Sequence, residues 1–453
     1  MKSSIFVLLL IGFVLLPASC KKLNVSSDAT PVVVPMPTPN PTNWVSTFLP
    51  GTRDNAGIYR GGNEIMQIVS HKGRLYAGNS YWTEPDISIR SAEILRLDRP
   101  DAQWQVDKEF TNENLRVGAM KSFVFTTNGT GAAMKPDTLL LTIPNNNAGN
   151  IVFYVRNDAA NTWITTTIAT VPADINCRAL GLHKDAVNGK TFVFAGLIDY
   201  GIFSGTYTST LSGKIQWATK PEFVAPPNER VMGFTVCNNA IYCATSDGGI
   251  GHVYKRTDGT GAWSLVKTLT GGGESEDVRG LSAIPNPGGN GEVLWLYWNN
   301  EALRIDPASG YATTTEYNFA SGLTTLLGVP IKYVLAAYND NIPVFNPANA
   351  ADDVRLIGFE MRYDPSLTNA PSNLNRWSTN GMYMERRQNG RNVGYALKYI
   401  VNNSPAVRDT LVATRTMCVS PFAPDNRKVI YAGGFDCNSI PISKAAWIYR
   451  GNF

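Results

Sequence analysis

Five arginines open five short apolar runs at the same place: "LRVGAM", "CRALGL", "ERVMGF", "VRGLSA" and "TRTMCV" hold Arg116, Arg178, Arg230, Arg279 and Arg415. A sixth run, "NEIMQI", carries Glu64 instead, and a seventh, "GLTTLL", has no charge. Guanidinium groups are permanently charged and present planar forks, so a fold that gathers them would create a positive site suited to carboxylate or sulfate. A second series mixes aromatic rings with amides and acids. It comprises "GNSYWTEPD" (Tyr81, Trp82, Glu84, Asp86), "GLIDYG" (Asp199, Tyr200), "YWNNE" (Trp298, Asn299, Glu301), "AYNDN" (Tyr338, Asp340) and "GGFDCN" (Asp436). Apolar faces beside hydrogen-bonding groups are what a sugar ring needs from a protein surface.

These residues require a repeating scaffold, and the chain supplies one. Tryptophans follow polar turns in "LDRPDAQW" (Trp104), "RNDAANTW" (Trp163), "LSGKIQW" (Trp217), "RTDGTGAW" (Trp263) and "SNLNRW" (Trp377), with Tyr311 of "DPASGY" in the equivalent place. A strand-like segment precedes each, from "AEILRLD" to "RLIGFEMRYD", and a more apolar one precedes that: "GRLYAGN", "TLLLTIP", "TFVFAGL", "AIYCATSD", "VLWLYWNN" and "KYVLAAYND". Short β-branched and aromatic runs at this spacing, broken by Asn, Gly and Asp, read as four-stranded antiparallel units. The last unit has "KVIYAGGFD" and "AAWIYRGNF" but no fourth strand, while a spare tryptophan, Trp44 in "NWVSTFLPG", stands at the other end. The expectation is an all-β chain, a seven-bladed β-propeller over residues 43–453, closed by an N-terminal strand that completes the last blade and leaves no open sheet edge. The arginine runs then become innermost strands starting at the top face, with "GLTTLL" as that of blade six. The second-strand exits reach the same face.

Composition agrees with this class: 43% hydrophobic and 17% charged residues with 40 Gly and 27 Pro fit a turn-rich globular protein. A formal charge of +4 without a basic stripe gives no reason to expect nucleic acid as a partner. The opening "MKSSIFVLLLIGFVLLPASC" reads as an export signal over residues 1–19. Its "LPASC" resembles the lipobox of bacterial lipoproteins, which implies a lipidated Cys20, a membrane partner through that anchor and a place in the bacterial cell envelope. Residues 20–42, rich in Pro, Ser and Thr, form an extended tether. "RNDAANTW" and "RTDGTGAW" resemble degenerate Asp-box turns of sialidases and related secreted propellers, with Asp158 and Asp258 five residues before Trp163 and Trp263. That resemblance implies structural turns on the face away from the site. Sialidases are six-bladed and have Arg-Ile-Pro where this chain reads "YRGG" around Arg60, so their catalytic roles are not carried over.

His71, His183 and His252 lack zinc-ligand spacing, so no metal is expected, and no nucleotide or cofactor fingerprint occurs. Besides Cys20, Cys177, Cys237, Cys243, Cys418 and Cys437 form an odd set for which no pairing is assigned. Two functions stay open. One is a monomeric surface-tethered module that binds an acidic or polar glycan, or a peptide, through Arg116, Arg178, Arg230, Arg279, Arg415, Glu64, Tyr81, Trp82, Tyr200 and Trp298. The other is a carbohydrate-active enzyme on that face, for instance a lyase in which arginine neutralises a uronate and Tyr81 or Tyr200 takes the proton. Against both stands a structural account, in which repeated arginines pair with the acids that recur at the strand exits. Glu64, the loop around Trp82 and the acidic "TGGGESED" (Glu274, Glu276, Asp277) break the repeat.

Overall fold

The computed structural model describes residues 44–453 except 82–90, 112–113, 146–150, 169–175, 273–276, 329, 347–348, 364–380, 401–410, 412, 426–427 and 436–443. Cys20, Trp82, Glu84, Asp86, Glu274, Glu276, Trp377, Asp436, Cys437 and the leader and tether lie outside the described residues. Among the rest, no helix is long and apolar enough to cross a membrane.

Seven four-stranded antiparallel sheets form the ring. Their innermost strands are Glu64–His71, Val117–Thr127, Cys177–Lys184, Arg230–Cys237, Arg279–Pro285, Ile331–Val344 and Ala413–Val419, for blades one to seven. In blade seven the order runs inward from Val45–Phe48 through Ala446–Asn452 and Val429–Phe435 to Ala413–Val419. Val45 pairs with Arg450 and Ser46 with Tyr449, so the two chain ends close the ring as the sequence leads one to expect. Trp44 is fully buried, edge-on to Tyr383 of blade six at 6.0 Å, in one apolar cluster with Trp447.

The recurrent tryptophans join neighbouring blades. Trp104 Nε1 donates to Thr47 of blade seven (3.2 Å), Trp163 Nε1 to Asp107 of blade one (2.7 Å), and Trp217 stacks on Phe153 of blade two at 4.6 Å. Asp158 and Asp258, the turn aspartates, accept from His71 (3.1 Å) and His183 (2.8 Å) of the preceding blade. Both histidines are therefore structural.

An arginine–acid ladder does exist, but on the third strands. Asp107 is shared by Arg96 of its own blade and Arg156 of the next (3.0 Å), and Glu316 by Arg304 (3.0 Å) and Arg386 (2.6 Å) in the same way. Each fourth-strand acid thus bridges two blades, and the inner-strand arginines are left for other partners.

Blade six departs from expectation. "GLTTLL" is the body of a helix, Phe319–Leu327, rather than an inner strand. Asn318 caps its start by accepting from Ser321 N–H, Gly328 ends it with φ +68°, and Phe319, Leu323 and Leu327 bury one face at four-residue spacing. The inner strand is instead the "KYVLAAYND" segment, and "RLIGFEMRYD" moves to second place as Asp353–Tyr363. Every later strand of the blade shifts with it, to Met382–Asn389 and Asn392–Tyr399. Tyr338, expected at a second-strand exit, therefore stands on the channel wall.

Candidate functional site: a guanidinium cage in the channel

All seven inner strands are bulged near their top end. In five of them one extra residue interrupts the register, Met66, Gly118, Arg178, Met232 and Arg415 in blades one, two, three, four and seven, and in blade five Gly280 and Leu281 stand against Leu296. A bulge turns a side chain out of the alternating pattern, which is how Arg178 and Arg415 come to face the channel. In blade six the slip is larger: Ala336 opposes Phe359 and Asn341 opposes Ile357, so four residues, 337–340, stand against Gly358 alone. Ala337 takes the left-handed conformation (φ +51°), and Gly280 of blade five and Gly358 leave room where any Cβ would collide with Ala337 or Thr414. The Asn339 side-chain amide donates to the carbonyls of Met66 in blade one and Arg415 in blade seven (3.2 Å), fixing the loop across the channel.

Tyr338, at the tip of this loop, is caged by arginines. Arg415 and Arg279 lie 3.7 and 4.4 Å from its ring centre, Arg116 donates to its hydroxyl oxygen at 2.9 Å, and Arg178 at 3.5 Å. Burial pushes the Tyr338 phenol up, but Arg116, Arg178, Arg415 and Arg279 together outweigh it and bring it down to about 7.

The carboxylates are distributed unevenly. Glu64, the acid in the arginine series, is the shared partner of its two ring neighbours, accepting from Arg116 and Arg415 at 3.0 Å each. Arg415 also binds Glu360 at 2.9 Å. Burial lowers both guanidinium groups, yet Glu64 and Tyr338 hold Arg116, and Glu360 with Tyr338 and Glu64 hold Arg415, above the ordinary arginine value. Burial also pushes the Glu360 carboxyl up, against the pull of Arg415. Arg279 pairs with Asp277 at 2.8 Å, while Arg230, 37% exposed, reaches that acid only at 3.9 Å. Arg178 has no carboxylate partner among the described residues, and its Nε finds no acceptor. Burial, then repulsion from Arg116, brings it down to about 10.

A cavity of about 20 Å³ lies against Arg178, Arg279, Tyr338, Asn339, Gln67 and Lys121, room for one small polar group. A second, of about 310 Å³, occupies the lower half of the channel beside Ser70, Ser122, Thr416 and Cys418.

Of the expected site residues, the structure brings Arg116, Arg178, Arg279, Arg415 and Glu64 together, with Arg230 nearby through Asp277. It removes Tyr81, which is fully buried, donates to Glu93 (3.2 Å) and accepts from Gly61 N–H (2.9 Å) to hold the entry to blade one. Trp298 is likewise buried, packed with Val278 and Leu269 between blades four and five, its Nε1 donating to the Thr270 carbonyl (3.3 Å). Tyr200 is half-buried against the core of blades two and three. The sequence reading missed the cage role of Tyr338 and the whole of Glu360. Their signal was the missing charge in blade six, which marked where another element had to fill the ring.

No protein-family model and no curated protein sequence matches the chain. Among solved structures it is similar to Sqt1 of Saccharomyces cerevisiae (11% identity, TM-score 0.45, over 90% of this chain and 100% of that one). It is also similar to an auxiliary nutrient binding protein from Bacteroides thetaiotaomicron VPI-5482 (10% identity, TM-score 0.40, over 90% of this chain and 76% of that one).

Proposed function

We propose that this propeller is a binding module whose channel mouth receives an acidic group of a polar ligand, a uronate or sulfate ester of a glycan or a peptide carboxylate. Cys20 carries the lipid that holds the domain, residues 43–453, to a bacterial envelope surface through the 20–42 tether. The observation that supports the ligand is Arg178. It is a guanidinium in the channel without a carboxylate among the described residues, in a ring where five arginines face Glu64, Glu360 and Asp277. A fold that needed these arginines only for its own cohesion would have paired this one, because leaving a charge desolvated and unpaired is costly. Arg230, at the rim, would meet the ligand first and lengthen the reach of the field.

Titration of the purified protein with galacturonate oligomers, a sulfated polysaccharide and a neutral glucan tests this reading. Binding of the acidic ligands alone, weakened by salt and lost in Arg178→Met, is expected; equal binding of the neutral glucan, or no effect of the substitution, overturns it.

One observation favours an enzymatic second reading, β-elimination of a uronate. A carboxylate held by Arg178 would place its α-carbon near the Tyr338 oxygen, 3.5 Å from that guanidinium, so Tyr338 rather than Tyr81 or Tyr200 would be the base. The appearance of unsaturated uronate ends in the same titrations separates turnover from binding.

A further inference from the structure

The hydrogen bonds around Tyr338 run one way. Arg116 Nη2 and Arg178 Nη1 both donate to its oxygen, and among the described residues no acceptor receives a proton from it. Guanidinium groups also lie over its ring, Arg415 at 3.7 Å and Arg279 at 4.4 Å from the ring centre. This is the environment of an oxyanion. A phenolate fits it, and a neutral phenol would have to turn its O–H toward the small cavity at Arg178.

We infer that Tyr338 is the internal counter-ion of the cage, exchanged for the ligand: a single acidic group enters beside Arg178, and Tyr338 takes up one proton from solvent as it binds, its new O–H donating to the incoming oxygen. This rests on the acidic-ligand reading and names the ligand more narrowly. The cavity of about 20 Å³ and the loop fixed by Asn339 admit one terminal or pendant carboxylate or sulfate, presented end-on.

Charge balance gives the direction of the effect. The titratable groups around Tyr338 are Arg116 and Lys121 from blade two, Arg178 from blade three, Arg279 with Asp277 from blade five, Arg415 from blade seven, Glu64 from blade one and Glu360 on the adjoining strand. The phenol titrates near 7, inside the range where proteins work. Below that point the neutral phenol leaves the cage with its full positive excess and an external anion binds well; above it the phenolate already occupies that role and must be protonated first. Affinity therefore falls as pH rises through about 7, and proton uptake per bound ligand rises toward one. Glu360, which burial pushes up, is the other group able to take the proton, so it has to be separated from Tyr338.

The experiment is calorimetric titration of the full chain with galacturonic acid and, separately, inorganic sulfate, at about pH 6 and about pH 8 in two buffers of different ionisation enthalpy. Binding about tenfold weaker at the higher pH is expected, with nearly one proton taken up there and loss of tyrosinate absorbance on binding. Glu360→Gln should keep this coupling and Tyr338→Phe should abolish it; the absorbance reading on the unaltered chain needs no variant. Binding that is flat with pH and takes up no proton, or coupling that disappears in Glu360→Gln and persists in Tyr338→Phe, overturns the inference while the acidic-ligand reading stands. Absence of binding by either anion at both pH values overturns both. Sulfate bound as well as galacturonate assigns the site to any single oxyanion, and galacturonate alone to carboxylates; either result supports a single-group site.

Discussion

The two sides of the arginine ring differ in what answers their charge. On the side of blades seven, one and two, Arg415 and Arg116 are locked onto Glu64, with Glu360 behind Arg415. On the side of blades three and four, Arg178 has no carboxylate partner among the described residues and Arg230 stands 3.9 Å from an acid already held by Arg279. Arg415 and Arg178, one from each side, both occupy the bulge position of their inner strands, and Arg116 and Arg230 both stand two residues before it. Position in a repeat therefore does not decide whether a charged residue serves the fold or a ligand; the distribution of counter-ions does.

The largest effect should come from breaking the paired side. Glu64→Ala leaves Arg116 and Arg415 together without their shared acid and should cost about 3–5 kcal/mol in chemical unfolding, the penalty for an uncompensated buried charge. Trp44→Ala should cost about the same by a different route, the cavity left where the ring closes, and should do so without altering anion binding. If Glu64→Ala unfolds like the unaltered protein, the pairing there is not what holds the inner strands.

On the open side the expected sign is reversed. The fold lowers Arg178 to about 10, so it disfavours the charged form, and that cost is present at neutral pH and relieved only as pH climbs past about 10. Arg178→Met should therefore leave stability unchanged or raise it slightly, while weakening galacturonate binding at least about tenfold, the worth of one charge-assisted hydrogen bond. Arg230→Ala should give the smallest change: stability within about 0.5 kcal/mol for so exposed a side chain, and a shallower dependence of binding on salt. Unfolding curves in denaturant and titrations at two salt concentrations check both.

Much of this frame is legible in the residues, for identifiable reasons. A tryptophan after a polar turn recurs because each fourth strand must pack on the preceding blade, and the unmatched Trp44 and Trp447 locate the closure. The inner-strand arginines are equally visible. Their partners are not, because Glu64, Glu360 and Asp277 come from three different places in the chain and only the ring brings them together. The third-strand ladder left a trace in "AEILRLD", "YVRND" and "YKRTD", where Arg96, Arg156 and Arg256 recur, but its acids lie a strand or a blade away. Blade six misleads because an apolar stretch of nine residues, capped by Asn318 and Gly328, serves a helix as well as a strand. The four-residue bulge that carries Tyr338 depends on Gly280 and Gly358, two glycines whose roles appear only when the blades are packed.

The most direct test sets Arg178→Met beside Arg415→Met, two equivalent positions of the ring, each measured for unfolding free energy and for galacturonate affinity. The account predicts that the blade-three variant stays as stable as the unaltered protein and loses binding, whereas the blade-seven variant, with Glu360 left unanswered and Glu64 held by Arg116 alone, loses about 3–5 kcal/mol of stability. Equal destabilisation of the two, or binding untouched in Arg178→Met, would contradict it.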